Sequence, residues 1–423
     1  MVSFDIRLKD DALKIGIFSH FVALLSHLAS MRILIVHNHY QDPGGEDTVV
    51  AQEAHLLAQT ENVELLTFRN RRGWRGVLQT LWSPWNIWAG QKVKRAIKRH
   101  QPDIMHIHNL HYAVGPIAIR IAKRQGIPVV MTLHNYRLIC PSATLFYNGK
   151  LFTGSLHARF PWRAVRLGVH SHSRIKTFWL ALTIWLHKKG GTWQMTDRYI
   201  TLTDFAKQLF IDSSLGVSAE KYVTKPNFVS TGERKELPTA PSRTDGFLFI
   251  GRLTEEKGLS ILLEAFAGTE FRLQIVGDGP LRNEVMRAVR TSPNITYLGA
   301  LERAAIDPLL TSCTALIFPS TWYEGMPMTL LEAFAAGTPV IASNLGAMQS
   351  MVHEGQNGWL FAPGDAQALR DKVKLWLGTD DVYRQHLGTG ARQSYESLYT
   401  AKWNQLLLAD LYGSVIESHL RRK

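Results

Sequence analysis

The chain contains few cysteines, and their scarcity excludes two kinds of architecture. Only Cys140 and Cys313 occur among 423 residues. Two cysteines cannot build a disulfide framework or a cysteine-rich zinc module, and such low usage is typical of a reducing, cytoplasmic compartment. Neither cysteine lies in a visible catalytic setting, and we expect Cys140 to be a packed thiol.

Long hydrophobic runs are also missing. The longest candidate, residues 178–186, falls well short of the ~20 apolar residues that a membrane-spanning helix needs. Residues 1–30 precede the first predicted strand and form an N-terminal extension, in which Asp5, Asp10 and Asp11 come before the apolar run, unlike in a signal peptide. A misassigned start codon and an amphipathic surface helix explain this extension equally well. We expect a protein that is not integral to a membrane.

Acidic residues are nearly absent from much of the first half of the chain. The formal net charge is +13, and residues 65–196 contain 21 lysines or arginines against one carboxylate, Asp103. Within residues 69–99, nine cations alternate with four tryptophans. This pattern favours contact with an anionic membrane surface, although a solvated charged helix with buried tryptophans explains it equally well. The expected location is the cytoplasm, with peripheral attachment to the inner face of the cell membrane.

Nucleic acid is not expected as a partner. Basic charge with interleaved aromatic residues can suit single strands. However, the sequence has neither zinc-finger spacing nor the aromatic strand signature of an RNA-binding sheet. We interpret the acid-poor half as the acceptor side of an enzyme that faces a membrane or an anionic lipid carrier.

Apolar strands alternate with helical stretches in two successive units. The first unit has predicted strands at residues 33–37, 63–68, 104–108, 129–134 and 199–203. The second has them at residues 247–250, 272–276, 295–298, 315–318, 339–342 and 358–361. Such alternation predicts parallel sheets that are covered by helices on both faces. The predicted divisions are a first domain at 31–229, a linker at 230–245, a second domain at 246–395 and terminal helices at 396–423.

Two glutamates, Glu324 and Glu332, stand eight positions apart after the predicted strand at residues 315–318. The segment 324–327 has the composition of a loop, and an amphipathic helix opens near Leu330. Amides at a helix start can bind a pyrophosphate, and a glutamate on the first turn can accept hydrogen bonds from ribose hydroxyls. The loop glutamate would then face whatever the pyrophosphate carries. This arrangement indicates nucleotide-sugar chemistry.

Five segments together resemble the retaining glycosyltransferases of family 4. They follow the family pattern in order over roughly residues 31–400, at residues 43–46, 132–136, 251–258, 276–280 and 336–343. The resemblance implies the GT-B fold, an α/β architecture of two doubly wound Rossmann-like domains that face each other across a cleft. It also implies that the terminal helices cross back to the first domain.

The resemblance assigns roles to individual residues, without a cofactor or a metal ion. Arg252 and Lys257 would neutralise the leaving diphosphate, Glu324 would bind donor-sugar hydroxyls and His134 would position the sugar. The donor-binding set comprises Gly44, Gly45, Glu332, Gly325, Met328, Thr329 and Leu330. From the residues alone, a solvated cation pair, a tight glycine turn and a histidine that caps a strand end remain alternatives. We expect no metal site at His106 and His108, because no acidic residue lies beside them in the sequence.

The expected function is transfer of a hexose from a nucleotide diphosphate sugar to a lipid-linked or polysaccharide acceptor. Residues 346–350 depart from the family pattern near the donor site, so neither the sugar nor the nucleotide follows from the resemblance. A nucleotide-sugar 2-epimerase of the same fold is an alternative, but it needs acid and base carboxylates that the acid-poor first domain does not reveal. A non-catalytic basic adaptor for membranes or nucleic acid is the other alternative.

Overall fold

The computed structural model describes residues 30–40, 44–230 and 246–422. The predicted N-terminal extension, apart from Ser30, and the predicted linker, apart from Ser230, lie outside these residues. The strands are β1 Arg32–His39, β2 Asn62–Arg69, β3 Ile104–Ile107, β4 Val129–Leu133, β5 Phe146–Tyr147, β6 Lys150–Leu151, β7 Arg198–Thr201, β8 Tyr222–Thr224, β9 Phe247–Ile250, β10 Leu273–Val276, β11 Ile295–Gly299, β12 Ala315–Phe318, β13 Val340–Ser343 and β14 Gly358–Phe361.

The helices of the first half lie between these strands and largely cover the first sheet. They are α1 Gly45–Leu57, α2 Gly73–Trp82, α3 Ile87–His100, α4 Ile117–Arg124, α5 Trp162–Leu167, α6 Arg174–Lys189 and α7 Asp204–Asp212. The helices of the second half are α8 Leu259–Phe266, α9 Arg282–Thr291, α10 Arg303–Ser312, α11 Met328–Ala335, α12 Ala347–Met351, α13 Ala366–Leu377, α14 Asp381–Leu398 and α15 Ala401–Leu420.

Two six-stranded parallel sheets organise the molecule. The first has the strand order β2-β1-β3-β4-β7-β8 and the second has the order β11-β10-β9-β12-β13-β14. Every predicted strand is present. The short strand β8 and the antiparallel β5-β6 hairpin were not predicted. Among the described residues, no helix is both long enough and apolar enough to cross a membrane.

Strand β1 shows why the first sheet has a core on each face. Leu34 and Val36 belong to one buried hydrophobic cluster, whereas Ile33 and Ile35 belong to another. Because alternate side chains of a strand point to opposite faces, a run of apolar residues places one set on each side of the sheet. The carboxyl ends of these buried strands then converge at one edge, where His108 and His134 follow β3 and β4.

The last helix, α15, packs on the first sheet although it follows the second domain in the chain. Leu408, Tyr412 and Val415 on α15 share a buried cluster with Ile33 and Ile35 of β1. Helix α14, which precedes it, packs against α11 of the second domain. The chain therefore crosses between the domains a second time at residues 399–400.

Candidate active site

The loop that joins β12 to α11 carries the first part of the site. Helix α11 begins at Met328, two residues before its apolar pattern starts at Leu330, and Pro327 occupies its N-cap position. The Leu330 amide donates a hydrogen bond to the Pro327 carbonyl at 3.1 Å. Because a helix has no earlier acceptors for its first amides, those of Met328 and Thr329 can donate to a bound anion. Leu330, which we had included in this set, is already bonded.

Lys257 and Glu324 form an ion pair at the mouth of this loop. The Lys257 Nζ atom lies 2.7 Å from Glu324 Oε1, and Ser320 Oγ donates to the same oxygen at 2.8 Å. The side chains of Lys257 and Glu324 are only 16% and 8% exposed. A Cβ atom on Gly258, where φ is +72°, would collide with the Pro319 carbonyl. Glycine at this position therefore permits the close approach that brings the lysine to the glutamate.

Arg252 and Glu332 each have a different partner. Arg252 is largely exposed, and its Nη2 atom lies 3.3 Å from Glu256 Oε1. Glu332 is largely buried and pairs with Arg303 at the start of α10, a residue that no sequence motif marks. Burial raises the pKa of Glu332 above its ordinary value, and Arg303 opposes that shift. Any ribose hydroxyl must therefore share this carboxylate with a guanidinium.

Gly44, the N-cap residue of α1, and Gly45, the first residue of that helix, have no packing role against the described residues. A Cβ atom on Gly44 or Gly45 would meet no atom within 4 Å, and neither residue has a positive φ. The Gly44 amide donates to Asp47 Oδ2 at 3.0 Å, and Asp47 Oδ1 also contacts the His37 and His39 rings at 2.7 and 2.8 Å. Neither turn geometry nor steric crowding demands glycine here. Open space in front of both residues is what a ligand approaching the backbone requires.

His134 belongs to a buried polar network that the sequence analysis missed. Its Nε2 atom lies 2.9 Å from His108 Nδ1, and His108 Nε2 lies 3.2 Å from Glu53 Oε1. No acidic residue lies beside His106 and His108 in the sequence, but the fold supplies one, because Glu53 Oε1 also lies 3.3 Å from His106 Nδ1. Glu53 is far away in the sequence, on α1, and only the fold brings it below β3.

Lys225 completes this network, and its positive charge balances the negative charge of Glu53. Its Nζ atom lies 2.8 Å from Glu53 Oε2, and both side chains are buried. Burial alone would raise the pKa of Glu53, but Lys225 and the histidines hold it well below its ordinary value. Burial lowers the pKa of His134 far below its usual range, so this ring is neutral at pH 7. A neutral ring held by His108 is suited to hydrogen bonding rather than to charge stabilisation.

Among the described residues, two groups of side chains have the spacing of metal ligands. They are His37 with His39 and Asp47, and Glu53 with His106 and His108, each with ligand atoms within 4.8 Å of one another. The Lys225 ammonium is already bonded to Glu53, and its positive charge opposes a cation in the second group. In the first group, Asp47 also accepts the Gly44 amide. Neither group gives us a reason to add a metal ion to the site.

Glu46 is a cleft carboxyl that the sequence analysis did not identify. Its Oε2 atom accepts a hydrogen bond from Tyr40 Oη at 3.0 Å, while its buried Oε1 atom has no hydrogen-bond partner. Burial raises the pKa of Glu46 to about 7. Such a carboxyl can give or take a proton near neutral pH.

Contacts between the domains bring the two halves of the site together. Tyr136 Oη donates to the Glu324 carbonyl at 3.2 Å. A Cβ atom on Gly325 would lie 2.6 Å from the His134 carbonyl oxygen, so glycine allows this loop to touch the end of β4. The Lys257–Glu324 pair of the second domain therefore faces the His134 segment of the first.

Comparison with known proteins now identifies the family. The description "Glycosyltransferase Family 4" matches residues 16–233, and the description "Glycosyl transferases group 1" matches residues 233–394. The chain belongs to glycosyltransferase family 4. Its resemblance to this family, inferred from five short motifs, is confirmed, and the protein is an enzyme that transfers glycosyl groups.

Curated relatives of this glycosyltransferase include two that are named as mannosyltransferases. It is 27% identical over 307 residues to the phosphatidyl-myo-inositol mannosyltransferase of Mycobacterium leprae, a match that covers 71% of either chain. It is 32% identical over 177 residues to O-antigen chain mannosyltransferase C of Escherichia coli, which covers 41% of this chain and 47% of that one.

Solved structures similar to this glycosyltransferase confirm the predicted α/β fold of the GT-B type. Anabaena HepE (Alr3699) in complex with UDP has a TM-score of 0.62 at 18% identity, covering 91% of this chain and 100% of that one. Sucrose-phosphate synthase from Thermosynechococcus elongatus has a TM-score of 0.64 at 16% identity, covering 91% and 99%.

Proposed function

We propose that the enzyme transfers a hexose from a nucleotide diphosphate sugar to a lipid-linked or polysaccharide acceptor, with retention of configuration at the anomeric carbon. The observation that supports this most is the buried Lys257–Glu324 pair in front of the first amides of α11. A cation and helix-start amides at one place form an anion site, and the adjacent carboxylate can accept hydrogen bonds from sugar hydroxyls. UDP in the related Anabaena structure is consistent with this donor class.

Lys257 and Arg252 would stabilise the diphosphate as it leaves, together with the Met328 and Thr329 amides. Charge grows on the leaving oxygen in the transition state, so these groups contribute more there than in the ground state. When the donor binds, the Lys257 ammonium would turn from Glu324 towards the phosphates. Glu324 is then released to accept hydrogen bonds from the sugar, Glu332 binds the ribose and His134 positions the sugar ring. No metal ion takes part in this proposal.

The acceptor would attack from the face that the diphosphate leaves. The bond between the anomeric carbon and the phosphate oxygen breaks as the bond to the acceptor oxygen forms. The acceptor proton passes to the departing phosphate oxygen, and the electron pair of the broken bond stays with the diphosphate. Retention follows because both bonds lie on the same face of an oxocarbenium-like centre.

Membrane attachment is part of the proposal. All four tryptophans of residues 69–99 are 46% to 68% exposed, so the alternative of buried tryptophans does not hold: Trp74, Trp82, Trp85 and Trp88. Exposed tryptophan favours the headgroup level of a bilayer, and nearby cations favour anionic lipid. We place the enzyme in the cytoplasm on the inner face of the cell membrane.

A panel of nucleotide sugars tests the proposed reaction. Glycosyltransfer predicts slow hydrolysis of one donor to free nucleoside diphosphate when no acceptor is present. Glu46, with its pKa near 7, is the observation that favours the alternative, a 2-epimerase, because that reaction needs such a carboxyl. An epimerised sugar that Glu46→Gln no longer forms would support the epimerase. If no donor yields either product, that result would contradict both reactions.

A further inference from the structure

A cavity of about 790 Å³ lies within the first domain, beside the donor side of the cleft. Helix α2 forms one wall and the start of α6 forms another, while the loops that follow β1, β2, β3 and β4 and the loop between α5 and α6 supply the rest. All the residues that line the cavity lie between Tyr40 and Trp179, within the first domain. The size suits a substrate or a large part of one.

Among the described residues, Arg137 at the inner end of the cavity is a buried cation with no direct ion pair, and its charge acts on the nearby Glu46, where it partly offsets the rise in pKa that burial causes. The residue is 9% exposed, and its Nε atom has no hydrogen-bond partner. Within the described parts of the chain, its guanidinium makes no side-chain hydrogen bond or ion pair. It lies instead over the Tyr40 and Tyr112 rings, at 5.9 and 6.0 Å. Burying an unpaired charge is unfavourable, so this guanidinium is placed to receive an anion.

Among the polar groups at the inner end of the cavity, Arg137 carries the main charge. His170 also lines the cavity, and its Nε2 atom lies 2.6 Å from Tyr112 Oη. Burial lowers the pKa of His170 to about 4, so this ring is neutral at pH 7. Arg71 and Arg72 before α2 and Lys176 on α6 add further cations to the cavity lining. Guanidinium groups favour phosphate because their planar donors match two oxygens at once.

The outer part of the cavity is apolar. Helix α2 has no buried residue, and Val77 and Leu81 on this helix line the cavity opposite Ile175 and Trp179 of α6. The Trp179 Nε1 atom donates to the Thr80 carbonyl at 2.7 Å, which ties the two walls together. An apolar cavity that leads to a buried cation matches an aliphatic chain with an anionic head.

The cation end adjoins the donor side of the cleft. Asn135, which follows His134, donates to Tyr40 Oη at 3.1 Å, and Tyr40 in turn donates to Glu46 at the start of α1. A head group at Arg137 would therefore lie near the segment that faces the donor, with its chain running outward along α2 towards the exposed tryptophans.

We propose that this cavity is the acceptor site, and that it holds an aliphatic phosphate or diphosphate lipid by its anionic head at Arg137 and by its chain between α2 and α6. That the bound lipid is the glycosyl acceptor rests on the proposed function, whereas binding of the lipid in this cavity does not. The glycosyl-accepting part of the molecule would extend from the phosphate into the cleft.

Equilibrium binding of farnesyl diphosphate to the full-length protein, without donor, tests the head-group contact. Arg137→Gln should weaken binding at least ten-fold, whereas Arg163→Gln, an exposed arginine of the same domain that does not line the cavity, should leave it unchanged. Removing an unpaired buried charge should not lower the melting temperature by more than ~2 °C. Binding of the parent's strength in folded Arg137→Gln would overturn the proposal.

Two simpler probes separate the sources of affinity. Farnesol has the chain without the anion, and inorganic diphosphate has the anion without the chain; both should bind at least ten-fold more weakly than farnesyl diphosphate. Val77→Ser with Leu81→Ser should weaken farnesyl diphosphate but not inorganic diphosphate, and Leu78→Ser on the same helix is the control. If inorganic diphosphate binds as tightly, the site takes a free anion and no lipid.

Competition locates the site relative to the donor. A nucleoside diphosphate should bind together with farnesyl diphosphate, and mutual exclusion would mean that Arg137 belongs to the donor site instead. These measurements need no turnover. Lipid binding without any nucleotide-sugar reaction would therefore contradict the proposed function while leaving the lipid site intact.

Discussion

At the scale of single residues, the pairing of Lys257 with Glu324 joins two groups that the sequence could only propose separately. A buried ion pair is stable while it is intact, but it must open when a diphosphate arrives. The two partners then have different tasks, one at the phosphates and the other at the sugar.

Loss of either leaving-group cation tests this division of tasks. Lys257→Ala and Arg252→Ala should each lower turnover by ~100-fold or more, because both act on charge that develops in the transition state. Steady-state kinetics with the identified donor measures this effect, and EDTA should change little. A strict need for Mg²⁺ or Mn²⁺ would show that a metal ion stabilises the leaving group instead.

Glu332 is the residue at which the proposed ribose contact can be measured directly. Glu332→Ala should weaken nucleoside diphosphate binding by ~1.5 to 3 kcal/mol, since a charged acceptor of ribose hydrogen bonds is lost. Calorimetry measures this change. Glu302→Ala, a neighbour of Arg303 rather than of the ribose, is the control. Unchanged affinity in a folded Glu332→Ala variant would mean that this glutamate serves only Arg303.

The pH dependence of the same binding follows from the burial of Glu332. Burial raises its pKa above the ordinary value of 4.5, so the carboxyl takes up its proton at a higher pH than usual. The ionised form is the better hydrogen-bond acceptor. Affinity should therefore be full well above this raised pKa and fall as the pH drops through it, and Glu332→Ala should remove that part of the profile.

The sequence could identify a site residue only where that residue belongs to a local sequence motif. Lys257 and Glu324 lie in motifs that follow strands, and the resemblance gave them roles. Arg303 and Glu53 reach the site region only because helices from distant parts of the chain pack there, and neither has a spacing that marks it. The pKa of Glu46 depends on burial, which a sequence shows only indirectly.

At the scale of elements, helix α3 shows how one segment can serve the core and the surface. Its buried face consists of small or branched residues, including Ala89, Val93 and Ala96, while its basic residues point outward. No residue of helix α2, which precedes α3, is fully buried. Together they present exposed tryptophans and cations on one side of the first domain.

Vesicle binding tests this surface. Changing Lys94, Arg95 and Lys98 to Gln should strongly reduce sedimentation with anionic vesicles at low salt, because each cation near such a surface adds ~1 kcal/mol. Binding of the parent should weaken as the Debye length falls to ~8 Å, and be nearly absent with neutral lipid.

The matched control removes the same charge from the second domain, at Arg287, Arg290 and Lys374, and should bind as the parent does. If both triple variants lose binding equally, net charge rather than this surface attracts the protein. If neither loses it, the basic segment is an ordinary solvated surface.

Strands proved more predictable than the short elements between them. The long apolar runs of β1, β4 and β12 identify buried parallel strands, and they lie where the pattern placed them. Strand β8 has three residues and the β5-β6 hairpin has two per strand, too few for any periodicity to register. Helix α11 begins at Met328, as the donor-binding set implied, although its apolar pattern starts only at Leu330.

At the scale of the whole molecule, the Glu53 network connects three parts of the chain. Glu53 lies on α1, Lys225 lies just before the predicted linker, and Asn404 on the crossing helix α15 accepts from Lys225 at 3.2 Å. Tyr412 of α15 contacts His106 at 2.7 Å. One buried ion pair thus holds the first sheet, the domain connection and the returning helix together.

Breaking this ion pair on one side only should be costly. Lys225→Met leaves Glu53 as an unpaired buried carboxylate and should lower the free energy of unfolding by ~3 to 5 kcal/mol, measured by urea denaturation. Lys225→Met combined with Glu53→Gln should recover much of the loss, because no buried charge remains. Exposed Lys402→Met is the control. Equal stability of parent and Lys225→Met would show that the pair contributes nothing to the fold.

Acid should weaken the same contact. Lys225 and the histidines hold the pKa of Glu53 below its ordinary 4.5, so this stability is present above about pH 4.5 and is lost as the pH falls through the lowered pKa. The crossing helix itself was expected only from the family resemblance. No local sequence pattern in α15 predicts which of the two sheets this helix covers, because its packing depends on the complementary surfaces of two distant segments.

The central claim is that the enzyme moves a sugar from a nucleotide donor with retention. Proton NMR, recorded from the first minutes of slow hydrolysis of the donor found in the panel, follows the nucleoside diphosphate and the anomer of the released sugar before mutarotation equilibrates it. The sugar should first appear with the donor's own anomeric configuration, and Lys257→Ala should abolish its release. First appearance of the opposite anomer from the parent enzyme would contradict retention, and release that Lys257→Ala leaves unchanged would contradict the proposed site.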